Sequence, residues 1–153
     1  MEWFVKAFIR ASLLWFALGI VTGLAMAMRP AWVIYRPAHA HMMVAGFITM
    51  MVFGVGYQLL PRLFGFALHS RRLAMGHWWM ANAGLAGMVA GFVATPHVGV
   101  RAAWVTSLGG ILYAGGALAF VFNMWVTFNR ADARQRDRIV VELRERGLPT
   151  ADG

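Results

Sequence analysis

Two histidines stand one residue apart, His39 and His41, at the opening of a long apolar run. A residue in an α-helix turns about 100°, so positions i and i+2 point to nearly opposite faces. Imidazoles placed that way cannot share one metal ion. Each can offer a nitrogen to a different group on its own side of the helix. The bland alternative is a pair of interfacial histidines wetted by headgroup water. The functional alternative is axial ligation of haem, or a metal site, because histidine inside a membrane is expensive and usually functional. Haem suits the surroundings better than zinc or copper. It needs a wide apolar slot, imidazole ligands and cations for its propionates. Met42, Met43, Phe47 and Met50 follow the histidines, and Arg36, Arg29 and Arg101 fall at the same level. A zinc site would want three or four ligands and a carboxylate behind them, and copper is not expected.

His97 follows Thr95-Pro96 on the same side and is a second candidate ligand, or else a solvated loop residue. His77, beside Trp78 and Trp79, reads as part of an aromatic interface belt. His69, next to Ser70-Arg71-Arg72, reads as a loop residue in water. The eleven methionines are scattered, as packing residues are, and form no copper-binding run.

The elements that hold these residues are apolar helices. Of 153 residues, 60% are hydrophobic and 13% charged, against roughly 25% charged in soluble domains. The six acidic residues are Glu2, Asp132, Asp137, Glu142, Glu145 and Asp152, so no carboxylate falls between positions 3 and 131. A membrane proton path built on Asp or Glu is therefore not offered by those positions. With no cysteine, disulfides, thiolate-held iron–sulfur clusters and covalently attached haem are excluded. A bilayer core takes about 20 apolar residues per helix. Four stretches qualify, at about 8–28, 39–60, 75–94 and 102–128. Arg29-Pro30, Pro61-Arg62 and Thr95-Pro96 punctuate them, and Pro37 suits a helix start. Ala25-Met26-Ala27 has the look of a leader cleavage site, but the apolar run before it is long for a leader and reads as a span. The expected fold class is all-α, an integral membrane four-helix bundle over 1–130 with a charged tail at 131–153.

With four spans, Lys6, Arg10, Arg62, Arg71, Arg72 and the six arginines from Arg130 to Arg146 share one side, against Arg29, Arg36 and Arg101 on the other. The positive-inside bias makes the first side cytoplasmic, with both termini. It also explains the net charge of +8 without nucleic acid. The histidine pair and His97 then lie at the outer face of a bacterial inner membrane. The tail reads as a short cytoplasmic helix stopped by Gly147-Leu148-Pro149, with Asp132–Arg136 pairing along it. Its role is a topological anchor, or contact with anionic lipid or a soluble partner. Gly19-x-x-x-Gly23 and Gly87-x-x-x-Gly91 allow close helix approach, within one bundle, between protomers or around a flat cofactor.

Ala38-His39-Ala40-His41, Gly46, Tyr57 and Pro61-Arg62-Leu63-Phe64-Gly65-Phe66 closely resemble the tenth transmembrane helix of subunit I of haem–copper oxidases. The start of the next span, His77-Trp78-Trp79, is similar to the aromatic start of the eleventh helix. The resemblance implies two haems, one on each side of the helix. His39 matches the ligand of the high-spin haem at the oxygen site, and His41 the ligand of the low-spin, electron-transferring haem. The family's copper site needs further histidines on other helices, and its proton routes need carboxylate and lysine; both are missing here. Family members arrange their helices as similar arcs around a pseudo-threefold axis, and four helices match one arc. That implies a homo-oligomer, a trimer before a dimer, with haem between His41 of one protomer and His39, or less favourably His97, of the next. A monomer with haem between His41 and His97 ranks third.

The leading functional expectation is electron transfer through bis-His haem b near the outer face, with quinol, a cytochrome or a respiratory complex as partner. Alternatives are a diatomic-gas (NO, CO or O2) binding protein with an open iron position, a small NO or O2 reductase whose second metal is assembled across protomers, and a structural subunit without cofactor.

Overall fold

The computed structural model describes residues 1–146; the expected Gly147-Leu148-Pro149 stop lies outside them. The described residues are all-α. Helix α1 is Trp3–Met28. A 3₁₀ stretch, Pro30–Tyr35, leads into α2, Arg36–His41, which continues through a π-helical stretch, Met42–Thr49, into α3, Met50–Leu63. Helix α4 is Arg71–Val98, and a 3₁₀ turn, Gly99–Ala102, joins it to α5, Ala103–Glu145.

Four separate spans were expected; three uninterrupted helical stretches are found. They are Trp3–Met28, Pro30–Leu63 and Arg71–Glu145, each long and apolar enough to cross a membrane. The reason lies in the third break. Pro96 falls in the last turn of α4 and does not end it. Thr95 donates its hydroxyl to the Gly91 carbonyl at 2.7 Å, and the chain turns only at Gly99, whose φ of +69° suits glycine. The link to α5 is itself helical, so no gap separates the two. They nevertheless pack side by side: a Cβ on Gly84 would fall 2.5 Å from Tyr113 N, and one on Gly109 2.6 Å from Gly84 O. Helix α5 then continues to Glu145 without a break at the expected tail boundary. Ala131 is its last buried residue. Along it, Arg136 Nε donates to the Asp132 main-chain carbonyl rather than to its carboxylate.

The Pro61–Phe66 motif is a helix stop. Pro61 is tolerated inside the last turn of α3. Phe66 N donates to Pro61 O at 2.9 Å and Gly65, at φ +71°, takes the left-handed position of a Schellman cap. At the other end of α4's loop, Ser70 caps the new helix by accepting from Leu73 N. Asn123 of α5 brackets Ser70, accepting from its N–H at 3.0 Å and donating to its carbonyl at 2.8 Å.

The polarity is inverted relative to a water-soluble protein. Large apolar side chains such as Leu14, Val21, Leu24, Val52, Ile111, Leu118 and Val121 are exposed, whereas Ser12, His77, Asn123 and Thr127 are buried. His77 does not lie in an interface belt. It is fully buried, ringed by Phe8, Phe53, Tyr57 and Phe120 at centroid distances of 4.8, 4.4, 5.8 and 5.9 Å. Gly116 leaves room for it: a Cβ there would lie 3.0 Å from its Cδ2. Its Nδ1 shares a 3.0 Å hydrogen bond with the Tyr57 hydroxyl, and its Nε2 has no partner. His69 is also half-buried, with its Nδ1 unpartnered, rather than free in a loop.

Tyr57→Phe is expected to cost about 1 kcal/mol of stability, the usual net worth of such a bond in water or in lipid. Adding His77→Phe should cost less than the sum of the single changes, because the orphaned imidazole goes with it. Denaturant titration of the four proteins in detergent checks this; strict additivity would mean that the bond contributes nothing.

Candidate functional site

The histidine pair lies at the end of the bundle opposite Arg62 and Arg71. The two rings do face different neighbours. His39 points to α1, where its Nδ1 lies 3.0 Å from Gly19 O. His41 points to α4, with its ring 4.7 Å from that of Phe92 and its Nδ1 2.8 Å from Pro37 O. A carbonyl oxygen can only accept. Nδ1 therefore carries the hydrogen in both rings, and in the neutral imidazole Nε2 keeps its lone pair. Histidines that bind metal ions are commonly held this way, with the second nitrogen donating to a carbonyl or carboxylate. Both residues have the tautomer and the anchoring that an Nε2 ligand needs.

The helix around them is adapted to this end of the molecule. The π stretch begins directly after His41. Such i→i+5 segments are rare and frequent at functional sites. The stretch is held by Thr49 Oγ1 donating to Val44 O at 2.8 Å and by Tyr113 of α5 donating its hydroxyl to Ala45 O at 2.9 Å.

His41 opens on a cleft of about 460 Å³ lined by Ala40, His41, Val44, Ala45, Met88 and Tyr113. It is an almost wholly apolar surface with one imidazole and one phenol. His39 is half-buried and lies over the small-residue pair of α1: a Cβ on Gly23 would come 3.0 Å from its Cε1. Glycine at position 23 lets that imidazole lie close against α1. Gly19, its companion, makes room for Met43, whose Sδ would lie 2.5 Å from an added Cβ.

The other candidate residues divide between the two faces. Met42 is buried toward α1, with Sδ 3.9 Å from Thr22 Oγ1, and Phe47 stacks on Phe16 at 4.2 Å. Neither lines the cleft at His41. Arg36 and Arg101 are exposed at the histidine end. Arg101 borders a separate hollow with Trp104 and Ser107, and Arg29 lies over the Trp32 ring at 5.2 Å. His97 is exposed, and its Nε2 is 2.8 Å from the Tyr35 hydroxyl. That bond occupies the nitrogen a haem would use. Among the described residues no three His, Cys, Asp or Glu side chains come together as a metal-holding group. Tyr113 and Met88, which complete the cleft, were not legible as site residues. Their one signal is register: both stand where α4 and α5 cross at glycines.

Over residues 4–142 the chain matches the family described as Cytochrome C and Quinol oxidase polypeptide I. It is 30% identical over 114 residues to cytochrome c oxidase subunit 1 of Rhodobacter capsulatus, an alignment covering 58% of this chain and 21% of that protein. The chain thus spans about a fifth of the length of that curated relative. No solved structure matches it.

Proposed function

The chain belongs to the cytochrome c and quinol oxidase polypeptide I family, and from that premise we propose that it is a haem b protein of a bacterial inner membrane that carries electrons near the outer face. One observation supports this more than any other. Both members of the His39/His41 pair donate Nδ1 to a main-chain carbonyl and so present Nε2 as a ligand, toward opposite sides of one helix. The apolar cleft at His41 is the second support.

His41 would hold the iron from the cleft side. His39 of a second copy would supply a second imidazole nitrogen, because His97 is engaged by Tyr35. Arg36 and Arg101 would pair with propionates at the rim. When bound, the haem would supply reversible one-electron transfer. The chain's own part is to fix the imidazole tautomer, exclude water with Val44, Ala45 and Met88, and set the local charge with arginines.

In this reading the third helical stretch crosses the membrane twice, with Gly99 at the outer turn. The chain is then multi-pass with both termini cytoplasmic, since eleven of its fourteen Lys and Arg residues fall on that side. The assembly is a closed homo-oligomer, a trimer in preference to a dimer. Quinol, an external cytochrome or a respiratory complex is the redox partner.

The test is the absorption spectrum of detergent-purified protein, oxidised and dithionite-reduced, with and without carbon monoxide. Sharp reduced α and β bands indifferent to carbon monoxide are the expected result. A Soret band shifted by carbon monoxide would replace electron transfer with gas binding or reduction. No Soret band after expression with ample haem would leave a structural subunit.

A further inference from the structure

At the end of the bundle far from the histidines, α1 and α4 diverge around a cleft of about 470 Å³. Trp3, Lys6, Arg10 and Leu14 line it from α1, and Trp78 and Asn82 from α4. Its chemistry is unusual for this chain. Lys6 and Arg10 lie one turn apart and both border the same hollow. Neither has an acidic partner among the described residues: Glu2 is taken by Arg71 at 3.0 Å, and the remaining ion pair is Glu142–Arg146, on α5. Trp78 Nε1 is buried and has no acceptor. Asn82 cannot supply one through its amide nitrogen, which donates to Trp78 O at 2.9 Å. The cleft therefore gathers two cations without acidic partners beside a tryptophan. Toward Leu14 its wall is apolar, built from Ala7, Ala11 and Leu14.

We propose that this cleft binds the headgroup of an anionic phospholipid, such as phosphatidylglycerol, with an acyl chain laid along Ala7, Ala11 and Leu14. The phosphate accepts from Lys6 and Arg10. The aromatic pair Trp3 and Trp78, with rings 5.9 Å apart, sits at the headgroup level where tryptophan is enriched. A zwitterionic headgroup would bring its own cation against two others. A neutral quinone would leave both charges unbalanced. A soluble anion would gain nothing from the apolar wall. The inference needs only that the chain lies in a membrane and is independent of the haem reading, so haem-free protein serves equally well.

The experiment compares binding of phosphatidylglycerol and phosphatidylcholine to the full chain, by native mass spectrometry from mixed-lipid nanodiscs. Wild type is expected to prefer phosphatidylglycerol by about tenfold, the scale of basic residues acting on anionic lipid. Lys6→Gln/Arg10→Gln should bring the ratio close to one. Arg134→Gln/Arg136→Gln, which removes equal charge from the exposed part of α5, should leave it. Lys6→Arg/Arg10→Lys should keep it too, and circular dichroism checks that each variant is folded. Quenching by bromolipid gives a second readout: bromo-phosphatidylglycerol should lose its advantage over bromo-phosphatidylcholine in Lys6→Gln/Arg10→Gln. A preference that survives the Lys6/Arg10 change, or falls equally in the Arg134/Arg136 control, overturns the site. So does displacement of the lipid by a neutral quinone analogue, or a cross-link placing a second copy in the cleft.

Discussion

His41→Ala is expected to abolish the haem absorption of the purified protein. The loss should exceed the about 10–100-fold fall in affinity that follows removal of a group supporting a ligand, because the ligand itself is removed. The geometry divides the three histidines at this end into three outcomes. His41 presents Nε2 at the mouth of an apolar cleft, so its loss takes the haem. His39 presents Nε2 on the opposite side of the helix, so His39→Ala should leave haem bound with one imidazole missing. That shows as a low-spin to high-spin change and as new carbon monoxide binding. His97 is held by Tyr35, so His97→Ala should leave the spectrum as it was. Undiminished Soret absorbance in His41→Ala would remove the assignment. A spin change in His97→Ala instead of His39→Ala would move the second ligand to His97.

Gly109→Leu is expected to prevent the folded state from forming. Even the first carbon of a side chain at this position would lie 2.5 Å from Met88 N, 2.6 Å from Gly84 O and 2.9 Å from Gly87 C. These are main-chain atoms of α4, which cannot turn aside as a side chain can. Gly109→Ala should already cost about 1–3 kcal/mol, the usual penalty of overpacking. Gly110→Ala is the control. There the added carbon meets only the Met88 thioether, at 3.6 Å, which is ordinary contact. Gel filtration in detergent and denaturant midpoints separate the two. Equal behaviour of Gly109→Ala and Gly110→Ala would contradict the packing of α4 on α5.

Much of this was legible in the sequence. Apolar stretches free of acid gave the all-α class, and the i, i+2 spacing of His39 and His41 already implied two faces. The neighbours on each face were not. Met42 and Phe47 read as cleft residues by proximity, but the stretch from Met42 to Thr49 is π-helical. An angle counted at about 100° per residue does not carry through a segment with i→i+5 bonds. His77 was misplaced for another reason. Two tryptophans beside it suggested an interface, whereas the better signal was its register. Ala81, Gly84, Leu85, Met88 and Gly91 follow it on the buried side of α4, at the three- and four-residue spacing of a packed face. The count of separate helical stretches failed at Thr95-Pro96. A proline within the last helical turn forfeits one N–H···O bond and leaves the helix running to Val98.

The two seams of the molecule have different mechanical characters. Where α4 meets α5, main chain rests on main chain at Gly84, Gly87 and Gly109. No rotamer can absorb a slide there, so the pair acts as one stiff strut. Where α1 meets the histidine helix, the filling is side chains, several of them thioethers: Met43 against Gly19, Met42 beside Thr22 and Met51 beside Ser12, with Phe47 stacked on Phe16. Methionine is unbranched and adapts its shape at low cost. The thioether contacts make the α1 side the more adaptable of the two, and the main-chain seam holds Tyr113 and Met88 as the firmer wall. His39 rides on the compliant seam and His41 faces the rigid one, so one helix offers its two imidazoles in mechanically unequal settings.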